Sequence, residues 1–203
     1  MTHPFFSELN ETLICEHKTN SWNTDDTTPY HCHDGYEILV FIGGHASFFV
    51  ENDGKILEPG DIVCCPPGAF HRAMPLQDKA YDRFLIAIPH EQLEKLNTVN
   101  TNLASCFFRG RASLPLLHPS QNTFQKILSC CRELEQCLSE HIYGWDVLCT
   151  ALLSQILVML NQEKAVLSAP SFSNPIPPLV SEIYDYIDTV SYTHLTLPTK
   201  LEV

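Results

Sequence analysis

Between residues 36 and 88, short apolar runs alternate with turn residues. Residues 36–42 are apolar on both faces apart from Glu37, which is the pattern of a central strand covered on both sides. Gly43-Gly44 breaks that run, and residues 46–50 predict a second strand. Asn52-Asp53-Gly54 is a hairpin signal, because Asp-Gly accepts the positive φ angles of a tight turn. Residues 55–57, 62–65 and 81–88 predict further strands, with turns at Pro59-Gly60 and Pro66-Pro67-Gly68. Proline ends a strand there because it has no N–H for a sheet ladder. Short strands separated by roughly eight to twelve residues mean a sandwich or barrel.

After Pro89 the period changes. Residues 90–96 predict a short helix opened by that proline. Phe124, Ile127, Leu128, Cys131, Leu134, Cys137 and Leu138 then recur at helical spacing, as do Val147, Leu148, Ala151, Leu152, Ile156, Met159 and Leu160. Gly144 lies at the break, so residues 119–164 predict a helical hairpin. Residues 165–178 hold four prolines and several serines and read as a linker. Leu179, Val180, Ile183, Tyr184 and Ile187 make one apolar stripe on a short helix, and residues 191–203 show no period. The expected organisation is a barrel over 1–118, the hairpin over 119–164, the linker, a helix over 179–190 and a discordant tail.

Composition narrows the partners. Twelve Lys and Arg stand against 24 Asp and Glu, a formal net charge of −12. A chain so acidic is poorly suited to grip a phosphate backbone, whose affinity comes mainly from cationic side chains. No apolar run reaches the roughly 18 residues of a membrane span, and the first residues lack a secretory pattern. Nine cysteines, an odd number with no Cys-x-x-Cys spacing, read as free thiols in a reducing cytoplasm rather than as a disulfide framework.

The chemistry concentrates in His31-Cys32-His33-Asp34-Gly35-Tyr36-Glu37 and, further on, His71. Residues two apart on a strand share a face, so His31 and His33 can aim inward together, with Glu37 in the same parity. Cys32 should point away from them. Two imidazoles, a carboxylate and a third imidazole make a complete ligand set for a divalent transition metal: Fe, Mn, Ni, Cu or Zn. Without metal, the same cluster would hydrogen-bond an effector's hydroxyl or carboxylate groups. Trp22, Phe41, Phe48 and Phe84 could floor such a pocket or simply be core. His45, His90, His118 and His141 sit in turn and helix-flank contexts, where surface exposure is the default.

His31-x-His33, three residues, Glu37, six residues, Gly44 resembles the first cupin motif, although Asp25 stands at its usual leading glycine. Gly60, five residues, Pro66-x-Gly68, two residues, His71 resembles the second motif, with Pro75 where an asparagine is common. The order cupin, helical hairpin, proline-rich linker and amphipathic helix resembles the first two-thirds of an AraC-type transcriptional regulator. The resemblance implies a mainly β fold, a double-stranded β-helix with C-terminal helices. It further implies a small-molecule effector of the sugar or small organic acid class held by His31, His33, Glu37 and His71. A homodimer through the hairpin and a cytoplasmic location follow from the same likeness, without catalysis. DNA would be bound only through a C-terminal helix-turn-helix domain of roughly ninety basic residues, of which residues 179–190 are expected to be the truncated start. The alternative is a stand-alone metal-dependent cupin dioxygenase or isomerase using the same four residues, although no further acid–base pair lies near either motif.

Overall fold

A computed structural model describes residues 12–21, 29–51, 53–75, 80–108 and 116–168. The strands are β1 (Ile14–Ser21), β2 (Tyr36–Gly44), β3 (Ala46–Val50), β4 (Asp53–Ile56), β5 (Ile62–Cys65), β6 (His71–Pro75), β7 (Ala80–Ile88) and β8 (Leu116–Leu117). Helices α1 (His90–Leu96), α2 (Gln121–Glu140) and α3 (Trp145–Ser168) accompany them, with a 3-10 turn over Leu103–Phe107. The chain divides into two units, residues 1–167 and 168–203. The expected linker beyond residue 168, the helix at 179–190, the tail and Trp22 lie outside the described residues.

All pairings are antiparallel, in one sheet ordered β1-β7-β2-β5-β8 and another ordered β4-β3-β6. The alternation of β2 decides which face sees what. Leu39 and Phe41 join Phe48, Val50, Val63, Cys65 and Tyr81 between the sheets, whereas Tyr36, Ile38 and Val40 join Phe84, Ile86, Ile88 and the helices on the other side. The central strand is thus covered on both sides, as its unbroken apolar run requires. Phe41 and Phe48 line the lumen between the sheets; Phe84 does not.

The hairpin between β3 and β4 turns one step earlier than expected. Val50 pairs with Asp53, and Glu51 takes the left-handed φ of +53°. Gly54 lies in β4 for a different reason. A Cβ there would stand 2.4 Å from Cδ1 of Phe49, whose ring lies across the glycine.

Helix α2 begins at Ser120, whose hydroxyl accepts from the Thr123 N–H at 3.2 Å, as a capping residue should. It ends at His141 in the left-handed conformation, and Gly144 (φ +81°) then admits α3. Helix α3 continues past Ala165. Over Trp145–Ala165 it is long and apolar enough to cross a membrane by length and composition, which corrects the reading that no segment reaches that length. Its Cys149, Leu153, Ile156, Leu157 and Leu160 are buried in the core, as in the core helix of a globular unit. Val147 and Leu148, read as positions of its apolar stripe, instead face outward at 67% and 51% exposure.

Candidate functional site

The two motifs converge through backbone contacts. His31 and His71 form an isolated antiparallel bridge, exchanging N–H···O bonds of 3.1 and 2.9 Å. Directly opposed residues share a face, so their rings meet with centroids 4.5 Å apart. A bend at Asp34-Gly35 then carries the chain into β2, where Glu37 faces the lumen opposite Cys65. The second motif is a turn. Gly68 adopts φ +75° and donates its N–H to the His33 carbonyl at 2.8 Å, which ties the Pro66-Pro67-Gly68 turn to the first motif and delivers His71.

One donor atom from each of His31, His33, Glu37 and His71 lies within 4.8 Å of the other three. His33, Glu37 and His71 are buried and His31 is half-buried. Each imidazole directs Nδ1 to a backbone carbonyl: His31 to Pro29 at 3.1 Å, His33 to Gly35 at 2.9 Å and His71 to Ala69 at 2.9 Å. A carbonyl can only accept, so Nδ1 carries the proton in all three rings. In the neutral ring Nε2 then keeps its lone pair. The Nε2 atoms of His33 and His71 stand 3.3 and 3.4 Å from the two oxygens of Glu37. The second contact lacks hydrogen-bond alignment, so among the described residues the buried His71 Nε2 makes no hydrogen bond.

The electrostatics follow from that enclosure. Burial disfavours the charged form of Glu37, yet the close approach and charges of His33 and His71 outweigh it and hold the carboxyl well below its usual range. Burial also works against the His71 imidazolium, and Glu37 more than offsets it, so His71 is raised. His31 is lowered, first by burial and then by the charge of His71. Protons and a metal ion compete here for the same lone pairs.

The donor set fits a divalent transition metal. Three imidazoles with fixed Nδ1 tautomers and one carboxylate are suitable ligands, and backbone carbonyls supply the outer contacts that orient them. The orphaned His71 Nε2 is a group for which a metal would be a partner. Ligands at about 2.1 Å from one ion lie at most about 4.2 Å apart, so the cluster would draw in by a few tenths of an ångström. Cys32 takes no part in the cluster.

Sequence reasoning missed the groups that share the lumen with this cluster. The register Glu37↔Ala87, Leu39↔Leu85, Phe41↔Arg83 and Gly44↔Tyr81 puts Arg83 and Tyr81 on the same face as Glu37. Their parity within residues 81–88 is the signal that could have found them. The histidines expected at the surface, His45, His90, His118 and His141, are exposed; His118 in addition directs its Nδ1–H to the fully buried Asp61 at 2.8 Å, and His90 stacks on Tyr36.

A family model described as AraC-like ligand binding domain matches residues 20–157. No curated protein sequence matches the chain. Among solved structures, the chain is similar to unsaturated fatty acid bound ToxT from Vibrio cholerae strain SCE256. That likeness has a TM-score of 0.51 and 12% identity, over 94% of this chain and 66% of that one. The AraC-like transcriptional activator CuxR is similar at a TM-score of 0.45 and 15% identity, over 81% of this chain and 54% of that one. An RmlC-like cupin with a double-stranded β-helix fold from Methanocaldococcus jannaschii gives a TM-score of 0.35 and 21% identity, over 44% and 79%. The chain therefore spans about half the length of CuxR and just under two-thirds of ToxT. The two antiparallel sheets with the helices behind them are a cupin barrel carrying a helical hairpin.

Proposed function

Because the chain belongs to the AraC-like ligand-binding domain family, we propose that it is the effector-sensing and dimerising part of a bacterial AraC-type transcription regulator. Its cupin barrel takes a small molecule, and DNA is bound through a separate C-terminal helix-turn-helix domain in the cytoplasm. The likeness to a structure holding a fatty acid supports a small-molecule ligand for this fold.

The observation that carries the reading is the double role of β1. Its Glu16 and Lys18 stand opposite Leu85 and Arg83 on the lumen face. Its other face grips the hairpin: the His17 N–H donates to Glu135 of α2 at 2.7 Å, and Cys15 Sγ donates to the Cys131 carbonyl at 3.5 Å. His17 is itself fixed by Asp82 at 2.6 Å and by stacking on Phe84. An edge strand tied to both layers transmits a change in the lumen to the helices, provided the effector binds two arrangements unequally. Dimerisation through the hairpin is supported by Ile142, Tyr143, Val147, Leu148 and Val158, apolar side chains left exposed.

The second reading, a metal-dependent cupin enzyme, is favoured by the buried His71 Nε2, which stands 3.4 Å from Glu37 and makes no hydrogen bond among the described residues. In it His31, His33, Glu37 and His71 would hold the metal, which would supply Lewis acidity or oxygen activation. One experiment separates the two. The purified chain, with and without added Ni2+ or Fe2+, is incubated with sugars and small organic acids. Chromatography follows the compounds while amide exchange follows the protein. A sensor returns its ligand unchanged and slows exchange in both β1 and α2. Turnover of a bound compound, or protection confined to the lumen strands, overturns the sensor reading.

A further inference from the structure

The 3-10 turn Leu103–Phe107 is held at both ends. Its N–H end is closed locally: Asn102 Oδ1 accepts from the Ala104 N–H at 2.9 Å, and Asn97 Oδ1 accepts from the Leu103 N–H at 2.8 Å. Its carbonyl end is closed by α3. The Asn161 amide donates to the Leu103 carbonyl at 2.9 Å and to the Leu157 carbonyl of its own helix at 2.8 Å. The Lys164 ammonium donates to the Ser105 carbonyl and, at 2.8 Å, to the Phe108 carbonyl. A cation there satisfies acceptors that a helical turn leaves open at its end. Residues three apart share a helix face, so both side chains reach from one face of α3. A 3-10 turn of five residues holds poorly alone, and its position is set by what grips it.

The same turn touches the strand that carries Glu37. Phe107 is fully buried and lies against Tyr36 with ring centroids 4.6 Å apart, and the turn also contacts β5 and α1. Tyr36 and Glu37 are successive residues of β2 whose side chains leave on opposite faces, Tyr36 among the helices and Glu37 into the lumen. One planar peptide unit joins them. Phe107 and Tyr36 are 0% and 1% exposed, and rings packed so closely leave no space to absorb a shift between them. Glu37 stands 3.3 and 3.4 Å from His33 and His71. A group that engages those side chains therefore acts on β2 directly in front of the turn.

We propose that Asn161 and Lys164 are positioning residues which, through the 3-10 turn, couple the His31, His33, Glu37 and His71 cluster to the C-terminal end of α3. The inference rests on the sensor reading, in which a DNA-binding domain follows α3 along the chain. It adds a second route, separate from the grip of β1 on α2, by which the occupied and the empty cluster present that end differently. With the turn in place the last turns of α3 are held against the barrel, and with the turn displaced they are released.

The test is a double-mutant cycle in the full chain that pairs Glu37→Gln with Asn161→Ala, read by urea melts and by amide exchange. Asn161 is uncharged, so no direct attraction between charges links the two positions. The unfolding constant of the double variant should depart at least about fivefold from the product of the single effects. Glu37→Gln alone should speed exchange at residues 157–165 at least about threefold over the parent, and that difference should vanish in the Asn161→Ala background. A second cycle uses the other contact. Lys164→Met should abolish the coupling, and Lys164→Arg, which keeps the charge and the donors, should retain it. A merely structural role would lower stability in each variant and leave the effects additive. Additive melts within about twofold, or an exchange change at 157–165 that survives Asn161→Ala, overturn the relay. If β1 and α2 still respond to Glu37→Gln in that case, the sensor reading stands without it. If they do not respond either, both readings fall.

Discussion

The glycine that closes the first motif offers a test of the barrel's geometry. Gly44 has φ +102°, and a Cβ there would stand 1.6 Å from the Ala80 carbonyl oxygen and 2.6 Å from its carbon. Both obstacles are backbone, so no rotamer change relieves them. Gly44→Ala therefore incurs two costs: strain of about 1–2 kcal/mol for a side chain at positive φ, and about 1 kcal/mol for each ladder hydrogen bond lost when β2 and β7 part. The sum is about 3 kcal/mol, or roughly 6–12 °C in a unit of this size. Two other glycines separate the terms. Gly68 has φ +75° with nothing within 4 Å of its Cβ position, and Gly43 has open space and no positive φ. Gly68→Ala should cost about 1 kcal/mol from strain alone, and Gly43→Ala should be neutral or stabilising by up to about 1 kcal/mol through the unfolded chain. Urea melts of the three variants give the comparison. A Gly44→Ala cost no larger than that of Gly68→Ala would refute the close approach of β2 to Ala80. The pairing Gly44↔Tyr81, which places the phenol in the lumen, would fall with it.

The buried cluster should give stability an unusual pH dependence. The raised His71 contributes fully below its ordinary 6.5 and loses that contribution as pH rises through the higher folded value. The lowered Glu37 contributes above its ordinary 4.5 and loses that contribution as pH falls. The lowered His31 opposes the His71 trend, so the difference between the parent and Glu37→Gln isolates the pair; without metal it should be largest between about pH 4.5 and 6.5. Added Ni2+ should act in the opposite sense, stabilising more at pH 8 than at pH 5.5 and by about 2.7 kcal/mol at a hundredfold excess over Kd. An equal Ni2+ effect in Glu37→Gln at pH 8 would count against a metal site there. Leu148→Glu puts a charge into the exposed apolar stripe and should leave a folded monomer in sedimentation velocity at concentrations where the parent is dimeric; an unchanged dimer would move the interface elsewhere. Asp61 is fully buried and accepts the Glu58 N–H at 2.8 Å and His118 Nδ1–H at 2.8 Å, with Lys55 at 3.7 Å. Asp61→Asn, which cannot accept at both oxygens, should cost about 2–3 kcal/mol in urea melts; a loss below about 0.5 kcal/mol would refute that role.

Much of the molecule was legible in the chain because one rule, alternation or helical period, governs each local segment. The strand at 62–65 and the helix at 90–96 stand where their apolar spacing and flanking prolines put them, and the four histidine and glutamate positions were read from parity and motif spacing alone. Their convergence has a backbone cause that the spacing only encodes, the His31–His71 bridge and the Gly68 N–H on the His33 carbonyl. The missed strands show the limit. Residues 14–21 carry lysine, glutamate, histidine and asparagine, yet they pair along the length of β7, since a strand at a sheet edge needs only one side protected. Helix α3 is apolar around most of its circumference, so its sequence could not say which residues face inward. Burial in the core cluster shared with Cys15, Ile127 and Leu134 took in Cys149, Leu153 and Ile156, and left Val147 and Leu148 outside. Tyr81 and Arg83 were ordinary strand residues until the register with β2 set them beside the lumen. The sequence by itself determined the elements and the ligand types, because those are local properties of side chain and period. Tertiary structure decided which face of each element is the inner one, because burial is a property of what lies opposite.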